Sequence, residues 1–240
     1  MIEKYYNGVI EQVAGGIGNV EHNSILVRYS NDFSIWDLES VNHYKDQTDI
    51  FFTCHEFSYN KIAEAYEPYL GLIRQMFHKY CSGTLEEFME ECDVYKLQRP
   101  VFESYFEKGF CERTEQILID EVEYEQERMH SSIVTMLQKL SEICPIVIVL
   151  NRFQLASKST MQLTNRLLQT KNKNIGIVLG VNDVQSIPEF AHEEWDVICE
   201  SMDDRNMVYH IGNAGRNMEP DVMDYYSDYE SDDGYRKLNN

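Results

Sequence analysis

The chain has 240 residues, enough for one sizeable core, and its 43% hydrophobic and 12% aromatic content marks a globular protein. Its formal net charge of −20 repels phosphate backbones and anionic bilayers, which argues against nucleic-acid and membrane partners. No apolar run approaches the about 18 residues that span a bilayer, no basic start precedes an apolar run as in a secretory signal, and six scattered cysteines form no C-x-x-C pair; a cytoplasmic protein with reduced, mostly buried thiols is expected.

In chain order, Ile2 to Val13 has helical spacing and ends at Gly15-Gly16-Ile17-Gly18. Ser24–Tyr29 reads as a strand, Ser34 to His43 as a short helix, and Thr48 to Cys54 as a second buried strand. Apolar residues then recur at helical spacing from Tyr59 to Lys79, until Gly83 breaks the pattern. Thr84 with Glu87 spells a capping box for a helix over Leu85 to Glu91. Tyr95 to Phe110 is aromatic and irregular, helical in part. A long helix is expected from Thr114 to Ile143, stopped by Pro145.

Ile146–Leu150 is a continuous β-branched run, the mark of a parallel strand buried on both faces. An amphipathic helix (Ser159 to Thr170), a strand (Asn174 to Gly180), a helix (Pro188 to Ser201) and a last short strand (Asn206 to Ile211) follow. Strands alternating with helices predict a three-layer α/β/α fold with a mostly parallel central sheet over residues 1–212. Residues 213–240 carry an acidic run, Asp221 to Asp233, with no basic residue, and read as a disordered tail.

Several local patterns carry weak chemistry. Cys54-His55-Glu56 stands at a strand end, but neighbours on a strand point to opposite faces, which disfavours a nucleophile–base pair. His192-Glu193-Glu194 lacks the second histidine of a zinc helix and reads as a solvated face. Asp228 to Gly234 has a calcium-loop outline with its glycine one place late and Asn239 where a glutamate belongs; a solvated acidic tail, or one that meets a basic partner, is the better reading.

The order of elements resembles the nucleotide-binding domain of AAA-like, STAND-type signal-transduction ATPases, a P-loop family found at the front of many bacterial regulators. In that family a buried strand ends in Asp-Asp-Leu-Gln-Trp-Ala-Asp before a helix that opens with Ser. Here Asn151-Arg152-Phe153-Gln154-Leu155-Ala156-Ser157 stands in register, with Ser159 in the helix-opening place, and the next strand runs into Val181-Asn182-Asp183. Upstream, the family's strand followed by a tyrosine-proline segment that opens a helix is matched by Thr48 to Cys54, then Ala65-Tyr66-Glu67-Pro68-Tyr69. The resemblance covers residues 1 to 211.

It implies a magnesium-nucleotide site that this chain has lost. An amide coordinates magnesium poorly and a guanidinium repels it, so Asn151 and Arg152 cannot replace the acidic pair. The phosphate loop G-x-x-x-x-G-K-S/T, whose backbone N–H groups and lysine clamp the phosphates, is also missing. Two placements of its remnant remain. After the first strand it is Ser30 to Trp36, with Tyr29, Asp32 and Ser34 at glycine places and Ile35 and Trp36 at the lysine and hydroxyl places; this is preferred because it uses the best strand of the region. Otherwise it is Ala14 to Val20, which keeps glycines but puts Asn19 and Val20 at those two places.

The vestigial positions are thus Ser34, Ile35, Trp36, Asn151, Arg152 and Asn182. Ile35 and Trp36 are expected to fill the phosphate space, and Arg152 to reach solvent or pair with Asp183 or Asp32. No catalytic residue, metal or cofactor is expected. The implied role is an inactive, ATPase-like regulatory domain of a cytosolic signalling protein, whose partner is a protein or an output domain of a larger chain. The alternative is a module that binds ATP without hydrolysing it.

Overall fold

A computed structural model describes residues 2–18, 23–31, 33–46, 49–58, 65–111, 122–203 and 208–211. The expected tail (213–240), the first turns of the long helix (114–121), residues 59–64, Asn19, Val20 and Asp32 lie outside them. In chain order come α1 (Ile2–Gly15), β1 (Ser24–Tyr29), a 3-10 turn (Ile35–Asp37), α2 (Glu39–Lys45), β2 (Phe51–Glu56), α3 (Tyr69–Tyr80), α4 (Leu85–Glu91) and α5 (Arg99–Lys108). Then follow α6 (Val122–Ile143), β3 (Ile146–Asn151), α7 (Lys158–Gln169), β4 (Ile175–Asn182), α8 (His192–Asp203) and β5 (Val208–Ile211).

The five strands form one sheet in the order β2-β3-β4-β1-β5, and every neighbouring pair is parallel. β3 sits inside it with all six residues buried, which explains its unbroken apolar run. Each such aliphatic side chain adds about 1.5–3 kcal/mol on leaving water.

Handedness sorts the helices into layers. The β1-to-β2 connection crosses three places in one direction, whereas the connections into β3, β4 and β5 all step the other way. Right-handed crossovers therefore put α2 on one face and α3 to α8 on the other. The contacts agree: α1 packs on β1, β3, β4 and α2, while α3 meets α6, α6 meets α7, and α7 meets α8. The result is the expected α/β/α sandwich.

Two glycines of β4 let α1 approach the sheet. A Cβ on Gly176 would lie 2.7 Å from Val13 Cγ1, and one on Gly180 would lie 2.6 Å from Asn151 Oδ1 and nearer still to Tyr6 Oη. The inner stripe of α1 (Tyr6, Val9, Ile10, Val13 and Ala14) is buried accordingly.

Local signals held where they were local. The Thr84–Glu87 capping box forms in both directions: Glu87 N–H donates to Thr84 Oγ1 (3.2 Å), and Thr84 N–H donates to the Glu87 carboxylate (2.8 Å). Bonding to Thr84 holds that carboxyl below its usual pKa.

Other boundaries moved. α3 starts at Tyr69, directly behind Pro68, because a proline offers no N–H to a preceding turn. β2 runs later than expected, to Glu56. α7 is opened by Ser157 rather than Ser159: its hydroxyl accepts from the Thr160 N–H (3.3 Å), and Ser159 already lies inside the first turn. The cysteines are all free, but only Cys92 and Cys144 are buried; Cys54, Cys81 and Cys199 are half-buried and Cys111 is exposed, since apolar spacing alone does not fix a small side chain's depth. Among the described residues no helix is long and apolar enough to cross a membrane.

Candidate functional site

In an open α/β sheet ligands bind outside the carboxyl ends of the strands, where neighbouring connections leave to opposite faces. Here that point lies between β1, which leads to α2, and β4, which leads to α8. The Ser30–Trp36 segment begins at this edge. The Gly15–Gly18 segment instead lies at the amino edge, where Gly18 N–H donates to Lys173 O (2.7 Å) ahead of β4.

Register decides which side chains share the carboxyl edge. Glu56 of β2 is paired with Asn151 of β3, and Tyr29 of β1 with Asn182 of β4. Registered side chains of parallel strands point to one face, and here it is the face covered by α1. The edge is filled from within. Tyr29 donates its hydroxyl to Asn151 Oδ1 (2.7 Å), and Asn151 is fully buried. The rings of Tyr6, Tyr29 and Phe33 meet edge to face, with centroids 4.9 to 6.2 Å apart. Burial and the neighbouring Tyr29, Cys54 and Glu56 raise the Tyr6 pKa well above its usual value, so its hydroxyl stays neutral.

Three buried polar atoms around this edge find no partner among the described residues: Tyr6 Oη, Ser30 Oγ and Asn151 Nδ2.

The positions expected to be vestigial separate. Ser34 caps the 3-10 turn, accepting from the Trp36 N–H (3.4 Å). Ile35 is fully buried, as expected, and its N–H donates to Glu56 Oε2 (3.4 Å). Trp36 overturns its expectation: it is 55% exposed and does not pack into the edge. The tight turn sends consecutive side chains in different directions, and Phe33 takes the place proposed for Trp36, packing against Tyr6 and Tyr29. Asn182 is buried, with Oδ1 accepting from the Val184 N–H (3.0 Å). Gln154, also buried, ties this corner by donating to Gln185 Oε1 (2.8 Å).

Arg152 is paired with a carboxylate, as one of the two expectations had it, but the partner is Glu56 and not Asp183. Its Nε lies 3.5 Å from Glu56 Oε1, and both side chains are mostly buried. Asp183 belongs to Arg28 instead (2.9 Å), and Asp32 is outside the described residues. The reason is the backbone. Arg152 is left-handed, with φ 54, so the chain turns at the end of β3 and aims the guanidinium back toward β2. That conformation costs a non-glycine residue of order 1 kcal/mol or more.

The Cys54–His55 pair is not assembled for catalysis. Burial pushes the Cys54 thiol up to about 12, with Lys45 opposing, and the His55 ring packs on Phe57 (4.5 Å). Among the described residues no cluster of three side chains is arranged to hold a metal.

A groove of about 540 Å3 lies elsewhere, over α7 with α6 and α8 as its walls. It was not anticipated, and reading His192-Glu193-Glu194 as a solvated face is wrong for one residue: Glu194 is buried. The signal was available. Glu194 falls between Ala191 and Ile198 on the apolar stripe of α8, and His130 falls with Ile133 and Leu137 on that of α6.

Compared with known proteins, the chain matches no protein-family model and no curated protein.

Proposed function

We propose that the chain is a regulatory domain derived from AAA-like, STAND-type P-loop ATPases, which keeps their α/β/α sandwich, does not turn over nucleotide, and acts in the cytosol through protein contacts. One observation carries the reading. At the sheet edge where a magnesium-nucleotide complex would sit, Asn151 is fully buried and bonded by Tyr29, with Phe33 and Tyr6 packed alongside. Phosphoryl transfer rests on metal and phosphate clamping, and here the lysine, the hydroxyl and both acidic positions are replaced. The Arg152–Glu56 pair also gives that edge its own charge balance, a task bound magnesium performs in an active relative.

A second reading has its own support. Tyr6 Oη, Ser30 Oγ and Asn151 Nδ2 have no partner among the described residues at the same edge, which suits a module that holds a nucleotide or smaller polar ligand without turnover. Thermal unfolding with and without 1 mM magnesium-ATP and magnesium-ADP separates the two, because a ligand of the native state raises the midpoint by mass action (about 2.7 kcal/mol at a hundred times Kd). We expect no shift and no phosphate release above that of an Asn151→Leu control. A magnesium-dependent rise would replace the first reading with the second, and turnover that disappears in the control would overturn both.

A further inference from the structure

The groove over α7 is built from three helical stripes: Glu123, Glu127 and His130 of α6, Gln162 and Arg166 of α7, and Glu193 and Glu194 of α8 are among its lining. A hydrogen-bonded chain crosses its floor. Gln126 Nε2 donates to Gln162 Oε1, and Gln162 Nε2 donates to Glu194 Oε1 (2.7 Å). Lys158 Nζ reaches the same Glu194 oxygen from one end (3.1 Å). Arg166 is held away by Glu127 and by Ser131 Oγ (3.0 Å).

What remains is acceptor. Glu194 is 9% exposed, yet its Oε2 has no partner among the described residues. His130 is 6% exposed; its ring stacks edge-on to Tyr66, and its Nε2 also has no partner among the described residues. Burial, seconded by Arg166, lowers the His130 pKa, which favours the neutral ring, and a neutral imidazole offers one lone-pair nitrogen. A buried carboxylate oxygen and a buried imidazole nitrogen without donors each forgo a hydrogen bond worth more in the interior than in water.

The charges select the ligand's sign. The lining carries the carboxylates Glu123, Glu127, Glu193 and Glu194 against the guanidinium Arg166, with Lys158 alongside at 3.9 Å from Glu193 and 3.1 Å from Glu194, so carboxylates stay in excess in a chain of net charge −20. An anion is excluded by that excess, and a metal ion lacks a third ligand among the described residues. The missing partner is a cationic hydrogen-bond donor of side-chain size.

We propose that this groove receives the lysine ammonium or arginine guanidinium of a basic protein segment, with Glu194 Oε2 and His130 Nε2 as its buried acceptors and Glu123 and Glu193 as its charged rim. The proposal deepens the interaction-domain reading and rests on it only for the partner being a protein. Binding of a free cation tests the groove alone, whatever the sheet edge does with nucleotide.

The experiment is an NMR titration of the full chain with N-acetyl-arginine amide, N-acetyl-lysine amide, neutral N-acetyl-citrulline amide, spermidine, and a short peptide carrying two arginines and a lysine. We expect saturable shifts on α6, α7 and α8 with the arginine or lysine amide, none with citrulline, and tighter binding of the peptide. Glu194→Gln should weaken binding at least about tenfold, as loss of a charge-assisted hydrogen bond does. Because that site is buried, the rim variant Glu123→Gln/Glu193→Gln provides a second arm: it should fold normally and weaken the peptide by about threefold, more at low salt than at high. Equal binding of citrulline and arginine, no saturable shift in the groove, or full binding by both variants would overturn the site. Spermidine binding more tightly than the peptide would overturn the protein partner.

Discussion

Gly180 is where the filled sheet edge can be measured as energy. An alanine in a strand normally helps by about 0.4–1 kcal/mol through the unfolded chain. At Gly180 the added methyl would lie 2.6 Å from Asn151 Oδ1 and nearer still to Tyr6 Oη, with Tyr6 Cζ at 3.1 Å, so side chains or strand must move. Overpacking of that kind costs about 1–3 kcal/mol. Gly180→Ala should therefore lower stability by about 1–2 kcal/mol, or about 2–6 °C in a chain of this size.

Tyr6→Phe removes the nearest atom and a buried hydroxyl that has no partner among the described residues, so alone it should be neutral or stabilising by up to about 1 kcal/mol. In the double variant the contact with Tyr6 Oη is gone while that with Asn151 Oδ1 remains, and the two changes should couple by about 1 kcal/mol, well above the scatter of independent sites. Gly8→Ala is the control: nothing lies within 4 Å of its added carbon, and an alanine inside α1 should stabilise by about 0.5–1 kcal/mol. Urea unfolding followed by the fluorescence of the buried Trp195 gives the four free energies. If Gly180→Ala is as harmless as Gly8→Ala, or is equally damaging with and without the Tyr6 hydroxyl, the account of a tightly filled edge is wrong.

Arg152→Asp should destabilise by roughly 1–3 kcal/mol, because it sets a second carboxylate beside mostly buried Glu56, and calorimetry should find no magnesium-ATP binding in it; Arg152→Asn, which tolerates the left-handed backbone, should lose less. Thr84→Ala removes the hydroxyl arm of the capping box, keeps the backbone N–H that donates to Glu87, and should cost about 1 kcal/mol by thermal unfolding. For His130 the sign follows from its depressed folded pKa: below the ordinary value of about 6.5 the unfolded chain takes a proton that the native state resists, so its share of stability is complete above that pH and declines as pH falls toward the folded value. Burial first, then Arg166, Glu127 and the Ser159 backbone, bear on that shift, and His130→Gln should flatten the wild-type decline between pH 7 and 5.

Much of the frame was legible in the residues. β3 was read to within a residue, because a strand buried on both faces is apolar almost throughout and so announces itself without knowledge of its neighbours, and β1 was read at its observed bounds from its apolar centre Ile25 to Val27. The capping box was legible because all its partners lie within four residues. The absence of a G-x-x-x-x-G-K-S/T string needed no structure, since the motif is local. Tertiary structure alone decided the rest. The strand order puts Glu56 within reach of Arg152, ninety-six positions away by number, and leaves Asp183 to Arg28. A three-residue turn sends Ile35 inward and Trp36 outward, although both are large and apolar. The groove exists only because α6, α7 and α8 pack side by side, so that His130 and Glu194, ionisable residues on mostly apolar stripes, both line one space. Helical spacing tells which face of a helix turns inward; which other helix meets that face is set by the crossover order of the whole sheet.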